Sequence, residues 1–255
     1  MIKKLGLSLL TFSVLTTGLF AKADESLVAQ YMDISGAKIT IESMGEQITA
    51  SMQQSSMMFG ESVDEKKMQF LQEAFNGDEG LDIVSAYLSE NFDNKNIKEI
   101  IAYYQTPLGK KVTQASIDAM NPDVQAQMLH FMADLPSNPP SAERTSTIKI
   151  FISELGLVES LEDMFVEILL FLNEEASQNK KLSTQDMEQF MAMMGQAFEQ
   201  QMFISSLYIY RDIDNKELKN VISFYNTVAG ENELKIVRAA MVKMLKSGFS
   251  RAMSK

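Results

Sequence analysis

A chain of 255 residues with 34 acidic and 23 basic side chains carries a formal charge of −11, which repels phosphate backbones and excludes nucleic acid as an expected partner. It contains no cysteine and a single histidine, His130, so disulfides, a lipid-modified cysteine and metal centres built on Cys and His are excluded by count. The same counts leave little for nucleophilic catalysis, and no cofactor is expected.

The chain begins with Lys3 and Lys4, an apolar run over 5–20, and Ala21-Lys22-Ala23, a small-x-small cleavage pattern. These features read as a signal peptide, residues 1–23, removed near Ala23, with a periplasmic or secreted destination. A retained anchor is the competing reading, but the run falls short of the roughly 20 residues that span a bilayer. The remaining chain has 20 basic and 34 acidic residues, a charge of −14. Without disulfides, burial alone must hold it.

Beyond the leader, apolar residues recur at helical spacing and no alternating strand pattern stands out. A short helix over 25–35 should stop at Gly36, and a second should run over 37–54. Met57, Met58, Phe59 and Gly60 break the pattern. Ser62 and Glu65 form a capping box ahead of Met68, Phe70, Leu71 and Phe75. Asn76 to Asp78 reads as a turn, with Asp78 as cap of a helix carrying Leu81, Val84, Tyr87 and Leu88.

Residues 93–109, DNKNIKEIIAYYQTPLG, return 121 positions later as DNKELKNVISFYNTVAG over 214–230. Asp93 or Asn94 should cap a helix whose stripe is Ile97, Ile100, Ile101 and Tyr104. Thr106 should cap the next helix with Pro107 in its first turn, and that helix should reach about Met120. Asn121 and Pro122 repeat the device for a helix ending near Leu135.

Pro136, Pro139 and Pro140 mark a linker over 136–141. The order then restarts. A helix ends near Gly156, a strongly apolar helix follows with Leu161, Phe165, Ile168 and Leu172, and Ser183 to Asp186 is a weaker capping box. A Met-rich helix with Phe190, Phe198 and Tyr208 leads into the second copy. The expected organisation is therefore all-α: a first helical repeat over 24–135 and a second over 142–255, packed as one pseudo-two-fold body.

Within the repeated corner, Gly109 and Gly230 fall in first turns, where glycine costs up to about 1 kcal/mol against alanine. Close approach of a helix or of the preceding aromatic ring would justify it. Tyr104, Thr106 and Gly109, with Tyr225, Thr227 and Gly230, are the candidate ligand-binding residues, hydroxyls beside free first-turn amides. A helix corner with an aromatic plug explains them without any ligand, and that explanation is preferred.

At this motif the chain resembles the exported bacterial proteins grouped as domain of unknown function 2059. Tyr103-Tyr104-Gln105-Thr106-Pro107-Leu108-Gly109-Lys110 carries the resemblance, while the second copy has Val228 for proline and Glu231 for the basic or amide residue. The resemblance implies an exported α-helical protein and supplies no catalytic motif.

Other candidate chemistry is thinner. Met187, Met191 and Met194 lie on successive turns and are weak Cu(I) ligands, with core packing preferred. Carboxylate pairs such as Glu174/Glu175 suit a hydrolase, but nothing selects one. Near the C-terminus, Lys235, Arg238, Lys243, Lys246 and Arg251 flank an apolar stripe, a candidate membrane-surface contact. The expected role is non-enzymatic, with an envelope protein or a hydrophobic ligand as partner.

Overall fold

Local signals start and stop most of the helices. A computed structural model describes residues 22–59, 65–175 and 182–254, and all regular structure among them is helical. The helices are α1 (Glu25–Ser35), α2 (Ala37–Glu42), α3 (Met44–Phe59), α4 (Glu65–Ala74), α5 (Gly77–Asn91), α6 (Asn94–Gln105) and α7 (Pro107–Asp118). The second part holds α8 (Pro122–Asp134), α9 (Ala142–Glu154), α10 (Leu157–Glu175), α11 (Thr184–Ile209), α12 (Asn215–Tyr225) and α13 (Val228–Met253). Gly36 at φ 79° and Gly156 at φ 56° stop α1 and α9 in the left-handed region, which glycine enters without a Cβ penalty.

The two repeated stretches fold as their caps predict. Asp93 accepts from the amides of Lys95 and Asn96, and Asp214 exchanges bonds with Glu217 in a reciprocal capping box. The stripe of α6 is buried throughout, with Ile97 and Ile100 fully enclosed, as are Leu218 and Val221 of α12. Each such side chain contributes roughly 1.5–3 kcal/mol over an exposed one. Thr106 and Thr227 then cap α7 and α13 by accepting from Gly109 N and Gly230 N at 2.9 and 3.2 Å.

Several expectations change in detail. The helix expected over 37–54 breaks at Ser43, because α2 lies on α5 while α3 turns onto α4. The break brings backbones close: a Cβ at Gly45 would lie 2.9 Å from the Phe75 carbonyl oxygen, and one at Gly77 would lie 2.9 Å from Glu42 Cα. The cap of α5 is Asn76, which accepts from the amides of Asp78 and Glu79, leaving Asp78 in the first turn. The box at Ser183 is a full one, Ser183 and Asp186 each bonding the other's backbone amide. The box at Ser62 lies outside the described residues.

Two apolar clusters form, and neither stays within one half of the chain. The first gathers Val28 and Tyr31 of α1, Val84 and Leu88 of α5, Ile97 and Ile100 of α6, and Ala229, Ala240 and Met244 of α13. The second gathers Ile148 and Phe151 of α9, Leu207 of α11, and Leu218 and Val221 of α12, with Leu108, Val112 and Ala115 of α7 against it. The helix after each glycine corner thus crosses to the opposite cluster. Between the clusters the corners meet. Tyr103 stacks on Phe224 with centroids 3.7 Å apart and planes 2° from parallel, and the Tyr104 and Tyr225 hydroxyls lie 3.1 Å apart. Both contacts join positions 121 apart in sequence. By contrast, α10 has no buried residue despite its apolar sequence, and Leu170 is 43% exposed.

At the corners, the space for a side chain is taken by the preceding turn's own backbone. A Cβ at Gly230 would sit 2.5 Å from both the Phe224 carbonyl oxygen and Tyr225 Cα, and one at Gly109 would meet the Tyr103 carbonyl oxygen and lie 2.8 Å from Tyr104 Cα. Gly109→Ala and Gly230→Ala should therefore each lower unfolding free energy by about 1–3 kcal/mol or more, read from the urea midpoint. Val228→Ala, at a position 70% exposed, should leave it within about 0.5 kcal/mol.

Candidate functional site

Four helices deliver a polar cluster into the first core. On α1, Tyr31 belongs to the buried face with Val28 and Met32, so its ring must enter the interior. Tyr104 ends the stripe of α6 and Tyr225 ends α12 at the equivalent place. Glu233 lies in the second turn of α13 and is 3% exposed, flanked at helical spacing by buried Ala229 and Ala240.

Its carboxylate organises the cluster. Tyr31 and Tyr104 both donate to Glu233 Oε1, at 2.9 and 2.7 Å. Since the single Tyr104 proton goes to Glu233, the 3.1 Å contact between hydroxyls is donated by Tyr225. Glu233 Oε2 is buried and has no protein partner. Burial pushes the Glu233 carboxyl up from 4.5 to about 7, against the two tyrosine bonds, which act to lower it. Burial first, and then the nearby Glu233 charge, hold the hydroxyls of Tyr31, Tyr104 and Tyr225 well above the usual tyrosine range.

The four residues of the cluster are among the lining of a pocket of about 470 Å³. Its apolar lining includes Ile41 of α2, Val84 and Leu88 of α5, Leu161 and Met164 of α10, and Val237 and Met241 of α13. Such a volume and lining, mostly apolar with a few convergent polar groups, suit a small organic molecule. Glu233 is the acidic residue among the described lining. The other charged lining residue, Arg238, is held by Asp163 of α10 at 2.5 Å.

Of the six ligand-binding candidates from the sequence, the structure brings Tyr104 and Tyr225 together in this pocket. Thr106, Gly109, Thr227 and Gly230 stand apart as caps and corners. The Gly109 and Gly230 amides are taken by the threonine hydroxyls, so they are not free for a ligand. The sequence reading misses Tyr31 and Glu233. A lone glutamate sharing a helical face with Ala229, Val237 and Ala240 was the available signal.

The remaining candidates are placed as follows. Met187, Met191 and Met194 are half-buried along α11, where Met187 Sδ accepts from Asn173 at 3.9 Å and Phe190 and Phe198 pack on Phe165. His130 is exposed on α8. Among the basic residues of α13, Lys246 pairs with Glu167 at 3.1 Å, Arg251 with Glu79 at 3.0 Å, and Lys243 sits over the Tyr87 ring. Much of that charge thus faces acidic or aromatic groups of α5 and α10. The crevice of α9, α10 and α11 gathers Glu159, Glu162 and Glu199 beside Lys149.

A carboxyl that is harder to ionise when folded makes stability fall as pH rises. The folded state retains its proton between pH 4.5 and about 7 while the unfolded chain releases it, so the unfolding free energy should drop by about 3 kcal/mol across that window. Glu233→Gln keeps an acceptor for both tyrosines and should remove that drop. At pH 8 the variant should exceed the parent in urea midpoint, and at pH 4.5 the two should agree.

Comparison with known proteins gives one match. Residues 81–136, from α5 to the end of α8, match a bacterial family described as "Uncharacterized protein conserved in bacteria (DUF2059)". The matched stretch contains the first glycine corner and Tyr104, and it ends before Tyr225 and Glu233. No curated protein and no solved structure matches the chain. Similarity thus extends to a family without an assigned activity over this helical segment.

Proposed function

We propose that this protein is a non-enzymatic binder of a small apolar or amphipathic molecule, exported to the cell envelope. The observation that carries the reading is the pocket of about 470 Å³, lined mostly by apolar side chains with the three tyrosines and Glu233 among them. A mostly apolar cavity of this size with a few polar groups among its lining is the usual form of a small-molecule site.

A duplication accounts for how the pocket is made. The two glycine corners, stacked ring on ring, are supported as copies of one unit by their shared offset of 121 residues. Counting from the glycine stops, Phe151 stands where Tyr31 does, and Val112 stands at the offset of Glu233. Under this reading one copy of the corner acquired a polar site and the other stayed apolar.

Export rests on the leader pattern of residues 1–23. Lys22 and Ala23 touch α5, Ala23 N donating to the Ser89 carbonyl at 3.0 Å and Lys22 pairing with Glu90 at 3.5 Å. The next amide, Asp24 N, bonds Asn94 Oδ1 at 2.9 Å. Cell fractionation followed by intact-mass measurement should find the chain in the envelope fraction, beginning at Lys22 or Asp24. A full-length cytoplasmic product would overturn export.

The binding reading is tested with N-phenyl-1-naphthylamine, a neutral apolar fluorophore. Its emission should rise on mixing with the protein and saturate near one equivalent. Leu161→Trp, which fills the pocket, should weaken that signal by at least about tenfold. Ile150→Trp, at a site 48% exposed, should leave it unchanged. Equal signals from both variants would reject the pocket as the site.

A further inference from the structure

We propose that the occupant of this pocket is a single-chain anionic amphiphile, with its head group on the guanidinium of Arg238 and its alkyl chain among the apolar lining side chains of α5, α10 and α13. The inference rests on the binding reading above and adds the charge and the position of the head group.

Most polar groups of the lining are already committed to one another. Tyr31 and Tyr104 donate to Glu233, Tyr225 donates to Tyr104, and Ser35 bonds the Tyr31 hydroxyl. Glu233 Oε2 is enclosed and offers a ligand nothing. The Thr40 hydroxyl donates to the Gly36 carbonyl at 2.9 Å. Arg238 and Ser160 are the polar lining residues that keep capacity to spare. Arg238 reaches Asp163 through Nη1, and among the described residues its Nε and Nη2 donors have no hydrogen-bond partner. Those two donors form one edge of the planar guanidinium and point in parallel, which is the geometry that two oxygens of a carboxylate or phosphate accept. The Ser160 hydroxyl likewise has no partner among the described residues, and it adds a further donor.

Exposure gives the occupant its direction. Ile41, Val84 and Leu88 are at most 2% exposed, whereas the Arg238 side chain is 35% exposed. The charged lining residue therefore lies where the pocket reaches solvent, with apolar side chains further in. On α13, Arg238 shares its face with Leu234, Val237 and Met241, so a head group on the guanidinium leads its chain onto them.

The sign of the head group follows. An ammonium would meet the Arg238 charge and find no open acceptor beside it. An anion meets unused donors, with Asp163 as its competitor. That competitor is 63% exposed, and a pair so solvated contributes little, so an incoming anion can share the guanidinium or take it at small cost.

The test is calorimetric titration of octanoate, octyl phosphate, octanol and octylamine into the protein at pH 6 and low ionic strength, where Glu233 largely keeps its proton. The two anions should bind at least about tenfold more tightly than octanol, with octylamine weakest, and the tighter anion identifies the head as carboxylate or phosphate. In Arg238→Gln, at a partly exposed position, that advantage should vanish while octanol binding persists. Asp163→Asn removes the competitor and should raise octanoate affinity by about threefold without changing that of octanol. Octanoate and octyl phosphate binding no better than octanol, octylamine binding best, or an advantage that survives Arg238→Gln overturns the anionic head and leaves the pocket standing. Binding by none of the four overturns both readings.

Discussion

The first apolar cluster is closed by α13, which arrives from the far half of the chain, and the second receives α7 in return. This exchange ties the two cores together, because each has a helix of the other half packed against it. It depends on the two corners, where α6 turns into α7 and α12 into α13 over a glycine. At both corners the backbone of the preceding turn occupies the space that any Cβ would need. The stacked Tyr103 and Phe224 rings fix the corners against one another and set the direction in which each following helix leaves.

The polar site follows from that geometry. Glu233 is on α13, so it enters the first core only because α13 crosses to it. Once there, its charge is opposed by desolvation, and the partners within reach are the hydroxyls that α1, α6 and α12 carry inward. Two hydrogen bonds do not outweigh the burial, which is why the carboxyl remains harder to ionise than in water. A core carboxyl held at about 7 changes its charge within the ordinary range of pH.

Much of the helical framework was legible in the sequence because its signals are local. Asp93, Thr106 and Pro107 act within one turn of their own positions, as do Gly36 and Gly156, and the spacing of Ile97, Ile100 and Ile101 declares the buried side of α6 without reference to any other helix. The break at Ser43 was not legible, since it answers to Phe75 and Glu42 across the fold. Asn76 and Asp78 are both competent caps, and only the path of the chain decides between them. For the site, Tyr104 and Tyr225 stood out through repetition. Glu233 did not, because in an acidic chain a single glutamate is expected in solvent, and its burial depends on a crossing that no local pattern encodes. Tyr31 was likewise visible as a buried position while its hydroxyl partner lay 202 residues away.

The outer wall of the pocket is α10, through Leu157, Ser160, Leu161 and Met164, and this helix buries no residue fully. Its ion pairs to α13, Asp163 with Arg238 and Glu167 with Lys246, are partly solvated and contribute about 0–1 kcal/mol each. Swinging that wall aside therefore disrupts much less than unfolding either core. On the proposed binding function, the dwell time of an occupant would follow this local opening, and mutations that strengthen the cores would leave its escape rate where it was.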